Sequence, residues 1–329
     1  MSQNMIKWYL YKIMYFYGGS MKKGCFFILL LLCVFTLTAC AGGFDDTEYA
    51  IISEDNVSED GFIYSVYENK TAAITGIKTP DTVVTVPEKV GGYTVVEIAS
   101  EAFRDDEMLQ LLTLPKTVTK ISESAFSGCS ALIKADLGGG VKKIEASAFY
   151  DCEYLCEVVG TDSLIYIDEV AFYACTSLAR FSFPETLKTI GNEAFGTCIA
   201  LTEVALPEKI ESIGNAAFSY CSALTRLDLG GLEKIPDKAF LRCTSLGRVI
   251  LKDGVTEVGA QAFRGCDRLF DLYVSKSVKM IGSAAFSSCP EMKIRYEGSE
   301  TAWDSIERSK DDLELAVHYV QFKQKLDKE

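Results

Sequence analysis

AFSGCSAL, Ala125 to Leu132, returns along the chain as AFYDCEYL from Ala148, AFYACTSL from Ala171, AFGTCIAL from Ala194 and AFSYCSAL from Ala217. It comes again as AFLRCTSL from Ala239, AFRGCDRL from Ala262 and AFSSCPEM from Ala285. Counting from the phenylalanine there are nine units, at Phe103, 126, 149, 172, 195, 218, 240, 263 and 286, spaced by 23 residues except for one step of 22 between Phe218 and Phe240. A fixed period of this length is the mark of a repeat array, in which one coil stacks on the next and chain length counts coils rather than domains.

Within a unit, apolar residues follow the cysteine at plus three, plus six and plus eight, often with a proline next, as in Leu201, Val204, Leu206 and Pro207 or Leu178, Phe181, Phe183 and Pro184. The alternation predicts a short strand, and proline, which cannot donate to a ladder, ends it. An apolar-x-x-Ile-Gly element comes next, as at Ile210 and Ile213-Gly214. Its glycine is expected to permit a tight bend before the following Ala-Phe. One 23-residue unit holds too few apolar side chains to close a core, so each must stack on its neighbours at about the 4.8 Å interstrand spacing.

Eight cysteines therefore fall in one column. A disulfide framework, a metal or redox array and a buried packing ladder are the three readings. With Cys40 set aside, nine cysteines follow it, the eight of the column and Cys156, so complete internal pairing is excluded by parity. Parallel Cα–Cβ vectors of stacked coils oppose the disulfide torsion. Metal binding needs thiolates converging on a point, whereas these spread along a line without any C-x-x-C pair. The small, easily buried thiol suits a packing column beside phenylalanine, where it stays inert.

Composition narrows the function. The chain has 46 acidic and 33 basic residues, a net charge of −13, which disfavours nucleic acid as a partner. A single histidine, His318, supplies no pair for a zinc site or proton relay. No cofactor is expected, and no Ser/His/Asp, paired-carboxylate or glycine-loop constellation points to catalysis.

The N-terminal region reads as an address. Met21-Lys22-Lys23 precedes the apolar run GCFFILLLLCVFTLTAC, the order of an export signal. Leu37-Thr38-Ala39-Cys40 resembles the lipobox of bacterial lipoproteins, which implies cleavage before Cys40 and a lipid on its thiol. The alternative is a plain transmembrane anchor lengthened by the aromatic stretch MIKWYLYKIMYFYGG. On the lipoprotein reading, residues 1–20 are an upstream extension, 21–39 the signal peptide and 40–60 an acidic tether. Residues 61–101 form an N-terminal cap, 102–295 the solenoid and 296–329 a C-terminal cap. The alternating run Leu313 to Val320 is expected to cover the last open edge.

The unit LPEKIESIGNAAFSYCSAL, Leu206 to Leu224, resembles the BspA-type leucine-rich repeat of bacterial surface proteins, and so do the flanks VPEKVGGYTVVEIASEAF and YEGSETAWDSI. The resemblance implies a leucine-rich-repeat solenoid of about nine coils with short parallel strands and turns, capped at both ends. It also implies an extracytoplasmic protein that binds protein or glycan ligands, commonly in adhesion, and the lipobox resemblance adds a lipid anchor to the bacterial envelope through Cys40. A non-catalytic spacer or scaffold of the envelope is the alternative. Two departures stand out. Asp106 replaces the first cysteine, and Gly160 with Cys156 predicts a local irregularity in the third unit.

Strand positions two and four beyond the repeated leucine should face outward as two exposed columns. The candidate ligand-binding residues there are Lys134, Asp136, Arg180, Arg226, Asp228, Arg248, Asp271 and Tyr273, with Arg180, Arg226, Arg248 and Tyr273 read as a basic, aromatic-tipped patch. Equally, such charges solubilise a sheet face. For the anchor, Cys40→Ala is expected to abolish lipid labelling and release the protein from membranes. Unchanged labelling with an intact N-terminus would contradict the lipobox.

Overall fold

In the computed structural model, which describes residues 49–290, 292–308 and 319–323, the repeats form a solenoid of about ten parallel-stacked coils of ~23 residues. Each coil has three sides. The first carries the strand predicted after the leucine, in three stretches of parallel ladder. Val83–Thr85, Leu111–Thr113, Lys134–Asp136 and Glu157–Val159 form one, Glu203–Ala205 and Arg226–Asp228 another, and Arg248–Leu251, Asp271–Val274, Lys293–Tyr296 and Tyr319–Phe322 the third. Only an isolated bridge, Glu157 to Arg180, marks the intervening coil. The second side is a ladder of two-residue strands such as Lys120–Ile121, Lys143–Ile144 and Tyr166–Ile167. It runs to Ser212–Ile213 and resumes at Lys234–Ile235. The break falls in the coil made by the 22-residue step, where Pro236, lacking an N–H, follows Ile235.

The third side is the Ala-Phe turn, and it too is a ladder. Alternate amides reach the next coil, as in Ser124 N to Ala146 O at 3.0 Å, Phe126 N to Ala148 O at 2.8 Å and Gly128 N to Tyr150 O at 2.8 Å. This geometry needs two left-handed residues per coil, placed two before and two after the phenylalanine. Val170 and Ala174, Glu193 and Thr197, and Ala216 and Tyr220 all have φ between 48° and 62°. Glycine occupies such a place only at Gly128 and Gly265. An L-residue there costs on the order of 1 kcal/mol, and stacking against both neighbours offsets it. The glycines of the Ile-Gly element serve a different purpose from the bend expected of them. A Cβ on Gly191 would lie 2.4 Å from Glu169 N, so what they permit is close approach of one coil to the previous one.

Inside, the nine phenylalanines stack with centroids 5.1 to 5.6 Å apart and planes within 12° of parallel. The widest gap, 5.6 Å, is at the short step between Phe218 and Phe240. Offset stacks of this kind contribute about 0.5–1.5 kcal/mol per pair beyond their burial. Beside them runs the cysteine column, and it does more than fill space. Each Sγ–H donates to the phenylalanine carbonyl of the preceding coil, from Cys129 to Phe103 O at 3.0 Å through Cys198 to Phe172 O at 3.2 Å to Cys289 to Phe263 O at 3.3 Å. Asp106, in the coil where the column would begin, turns its Oδ1 to the amides of Met108 and Leu109 at 2.9 and 3.1 Å.

The ends differ from expectation in two places. The stretch assigned to a tether through residue 60 contains a strand, Ile51–Val57, antiparallel to Phe62–Tyr67. Phe62–Tyr67 in turn pairs with Thr71–Ile77, and that strand joins the second ladder through Tyr93–Ile98. Glu54 and Asp55 suit this mostly exposed edge, which is paired on one side only, by the ladder and by Asn56 Nδ2 to Tyr64 O at 3.2 Å, and must not pair further. Glu97 ties cap to coils, accepting from Tyr67 Oη at 2.7 Å and lying 3.3 Å from Lys120 Nζ. At the other end the covering strand is Tyr319–Phe322, the margin of the expected run, and residues 309–318 lie outside the described residues. A short helix, Glu300–Asp304, capped by Ser299, packs buried Trp303 on Tyr296 at 5.2 Å. Gly160, at φ +70°, is the irregularity expected in the third unit, yet Glu157–Val159 keeps register with Lys134–Asp136. Cys40 and the signal lie outside the described residues.

The thiol bond changes the expected cost of substitution. Cys198→Ala, which loses contacts and a donor, should destabilise by about 2–3 kcal/mol, and Cys198→Ser, which keeps a donor facing the Phe172 carbonyl, by less. Denaturant unfolding measures both; serine costing more than alanine would rule out the donor role. Native protein should also resist thiol reagents at Cys198 and Cys221.

Candidate functional site

The strand side is where variable residues project from a rigid ladder, and its outward columns are mostly occupied with each other. Lys134 Nζ lies 2.9 Å from Glu157 Oε2, Arg226 Nε 3.7 Å from Glu203 Oε1 and Arg248 Nε 3.3 Å from Asp271 Oδ2. Asp271 also takes Arg295 at 2.8 Å. The expected basic patch is thus interleaved with acid, Glu157 and Glu203 standing on either side of Arg180 and Asp271 beyond Arg248, and only Arg226 and Arg248 follow each other with like sign. Asp136 and Asp228 each turn Oδ1 onto a following glycine amide, Gly138 at 2.9 Å and Gly230 at 3.0 Å, and so close the turn after their strand.

Tyr273 corrects the expectation most sharply. It is 3% exposed, not an aromatic tip. The last strands are four residues long, and pairing sets Tyr273 between Ile250 and Arg295, whose guanidinium folds onto Asp271. Side-chain period alone pointed it outward, and the long neighbours on both sides cover it.

One part of this face is open. A groove of about 420 Å³ is lined by Glu203, Val204, Ala205, Arg226, Leu227, Asp228, Leu229, Ile250 and Lys252. Its origin is the 22-residue step. The shortened turn Leu229-Gly230-Gly231 sits so closely on the preceding coil that a Cβ on Gly230 would lie 2.3 Å from Pro207 O and one on Gly231 2.0 Å from Glu208 O. On its other side no ladder joins Arg226–Asp228 to Arg248–Leu251. Leu227, whose counterparts Val204 and Val249 are fully buried, is left half-buried.

The groove has an apolar floor and a charged rim. Lys252 Nζ spans two coils, 2.7 Å from Glu208 Oε1 and 3.4 Å from Asp228 Oδ1. Burial acts to lower its pKa, and the two carboxylates outweigh it, holding the ammonium above its ordinary value. The volume falls in the range of small-ligand clefts, about 300–1,000 Å³. Of the residues singled out from sequence, Arg226 and Asp228 line the groove, while Lys134, Asp136, Arg180, Arg248, Asp271 and Tyr273 do not. Lys252, Leu227 and Ile250 were missed, although the short step and Gly230-Gly231 mark the place. Among the described residues no group of three or more His, Cys, Asp or Glu is placed to hold a metal, and no helix is long and apolar enough to cross a membrane.

A parallel solenoid with a phenylalanine column and variable strand face is a leucine-rich-repeat architecture. The profile of the BspA type leucine-rich-repeat region matches residues 84–185 and 165–293 in six copies, and the chain belongs to that family. Solved structures with similarity include a leucine-rich-repeat protein of T. pallidum, 27% identical over 65% of this chain and 90% of that one, with a TM-score of 0.47. A leucine-rich cell surface protein of Faecalibacterium prausnitzii is 20% identical, covering 80% of this chain and 98% of that one, with a TM-score of 0.40. A leucine-rich-repeat protein from Bacteroides ovatus is 20% identical over 81% and 99%, with a TM-score of 0.35. A comparison with curated proteins returned no match.

Proposed function

We propose that the protein is an extracytoplasmic binding protein of the bacterial envelope, held to the membrane by a lipid on Cys40, that takes a protein or glycan ligand on its strand face with the groove as the centre. The observation that carries this reading is the groove itself. An apolar floor from half-buried Leu227 and Ile250 within a rim of Arg226, Asp228 and Lys252 joins area for desolvation to groups that orient a partner. Family membership and the export signal are consistent with it. A spacer role is the second reading, favoured by the pairing of Lys134 with Glu157 and of Arg248 with Asp271, which leaves those stretches of the face self-neutralised.

A screen of the purified protein against matrix proteins, mucins and glycans supplies the ligand. Arg226→Glu combined with Lys252→Glu should then weaken binding about tenfold or more, while Arg180→Glu, outside the groove, leaves it near the original value. Undiminished binding by the double variant would move the site elsewhere, and no ligand in the screen would favour the spacer.

A further inference from the structure

The combination of arginines and an open aromatic ring expected on the strand columns occurs at a different place, the corner where the Ala-Phe turn meets the strand side. Phe270 is 63% exposed, and its backbone N–H donates to Gly247 O at 3.1 Å. Its ring leans back over the preceding coil: a Cβ on Gly247 would stand 3.0 Å from Phe270 Cε1. The ring is therefore seated on bare backbone with much of its surface left to solvent. In the same turn Arg264 and Arg268 are exposed, and Arg242 of the preceding coil lies across it, with its Cγ 3.2 Å from where a Gly265 Cβ would be. Backbone pairing fixes this neighbourhood, since Arg242 N donates to Arg264 O at 2.8 Å. The turn contains a single carboxylate, Asp267. Three guanidiniums so placed are an anomaly on a chain of net charge −13.

We propose that this corner is a second binding surface, distinct from the groove, for an acidic polysaccharide. Guanidinium forks match carboxylate and sulfate oxygens in pairs. An open aromatic face accepts the C–H-rich face of a pyranose, because the ring's negative quadrupole meets the positive edge of the sugar. Arg264, Arg268 and Phe270 belong to one coil and Arg242 to the one before it, so a single stretch of polysaccharide lying across two coils would meet both the ring and the arginines. An acidic peptide would use the arginines but not the platform, and that difference separates the two partners.

The test measures binding of the full protein to immobilised dextran sulfate and polygalacturonate, with neutral dextran, polyglutamate and anionic vesicles alongside. Binding to either acidic polysaccharide, and which of the two is preferred, identifies the acid group. Arg242→Glu with Arg264→Glu should weaken it about tenfold or more. Phe270→Ala should weaken it severalfold and Phe270→Tyr restore it, while the groove substitution Arg226→Glu leaves it unchanged. Circular dichroism confirms that these surface variants fold. Equal binding of polyglutamate or vesicles with Phe270→Ala unaffected would overturn the proposal by reducing the corner to plain charge attraction. Absence of polysaccharide binding, or loss on Arg226→Glu alone, would overturn it as well, the latter by returning the ligand to the groove.

Discussion

The structure depends on one buried carbonyl per coil. The Ala-Phe turn, bent by two left-handed residues, points the phenylalanine ring and its C=O inward, and a buried carbonyl wants donors. One comes from within the turn, as in Cys129 N to Phe126 O at 3.2 Å. The second comes from the next coil, Cys152 Sγ to the same oxygen at 3.1 Å. The donor must be small enough to sit beside a phenylalanine stack, apolar enough to be buried and of the right length. Cysteine meets all three conditions. The bond links each coil to the one before it, so the column is both filler and fastener.

Because the interior is repetitive, individuality is confined to the outside and to breaks in the period. Three features meet at the short step between Phe218 and Phe240: the ring stack is at its widest, both strand ladders are interrupted and the groove lies open. The corner at Phe270 uses a milder device, glycine at Gly247 and Gly265, which lets large side chains lie on the backbone of a neighbouring coil. In both places a small local omission opens the surface, while the phenylalanine stack and cysteine column of the core continue.

Much of this was legible in the chain. The period, the inward columns and the inertness of the thiols follow from residue spacing and parity. What spacing could not show was direction. The alternation that correctly buried Val204 also sent Tyr273 outward, because a period of two says nothing of the lengths of Ile250 and Arg295 beside it. The arginines looked like a patch although Glu157, Glu203 and Asp271 share their column, because spacing does not show which charges pair across coils. Ile51–Val57 read as tether because the acidic residues around it masked Ile51, Ile52 and Val57, which stay exposed on an edge strand. The thiol as donor was invisible, since nothing in the letters orients the phenylalanine carbonyl.

The most direct test of the buried, protonated thiol column is stability against alkaline pH in reduced protein. Burial pushes Cys129 and Cys221 from 9.0 up to about 12 and raises Cys152, Cys175, Cys198, Cys243 and Cys266 as well. Below about pH 9 folded and unfolded chains both keep these protons; above it the unfolded chain releases them and the folded one does not. Stability is thus intact on the low side and falls as pH climbs towards the folded values, by about 1.4 kcal/mol per pH unit for each thiol. Seven thiols acting together should give a steep, cooperative unfolding above pH 9, with their thiolate absorbance, measured in a Cys156→Ser, Cys289→Ser protein because those two thiols are not fully buried, appearing only as the fold is lost. Thiolate absorbance from the seven rising near pH 9 while the circular dichroism stays native would contradict the account.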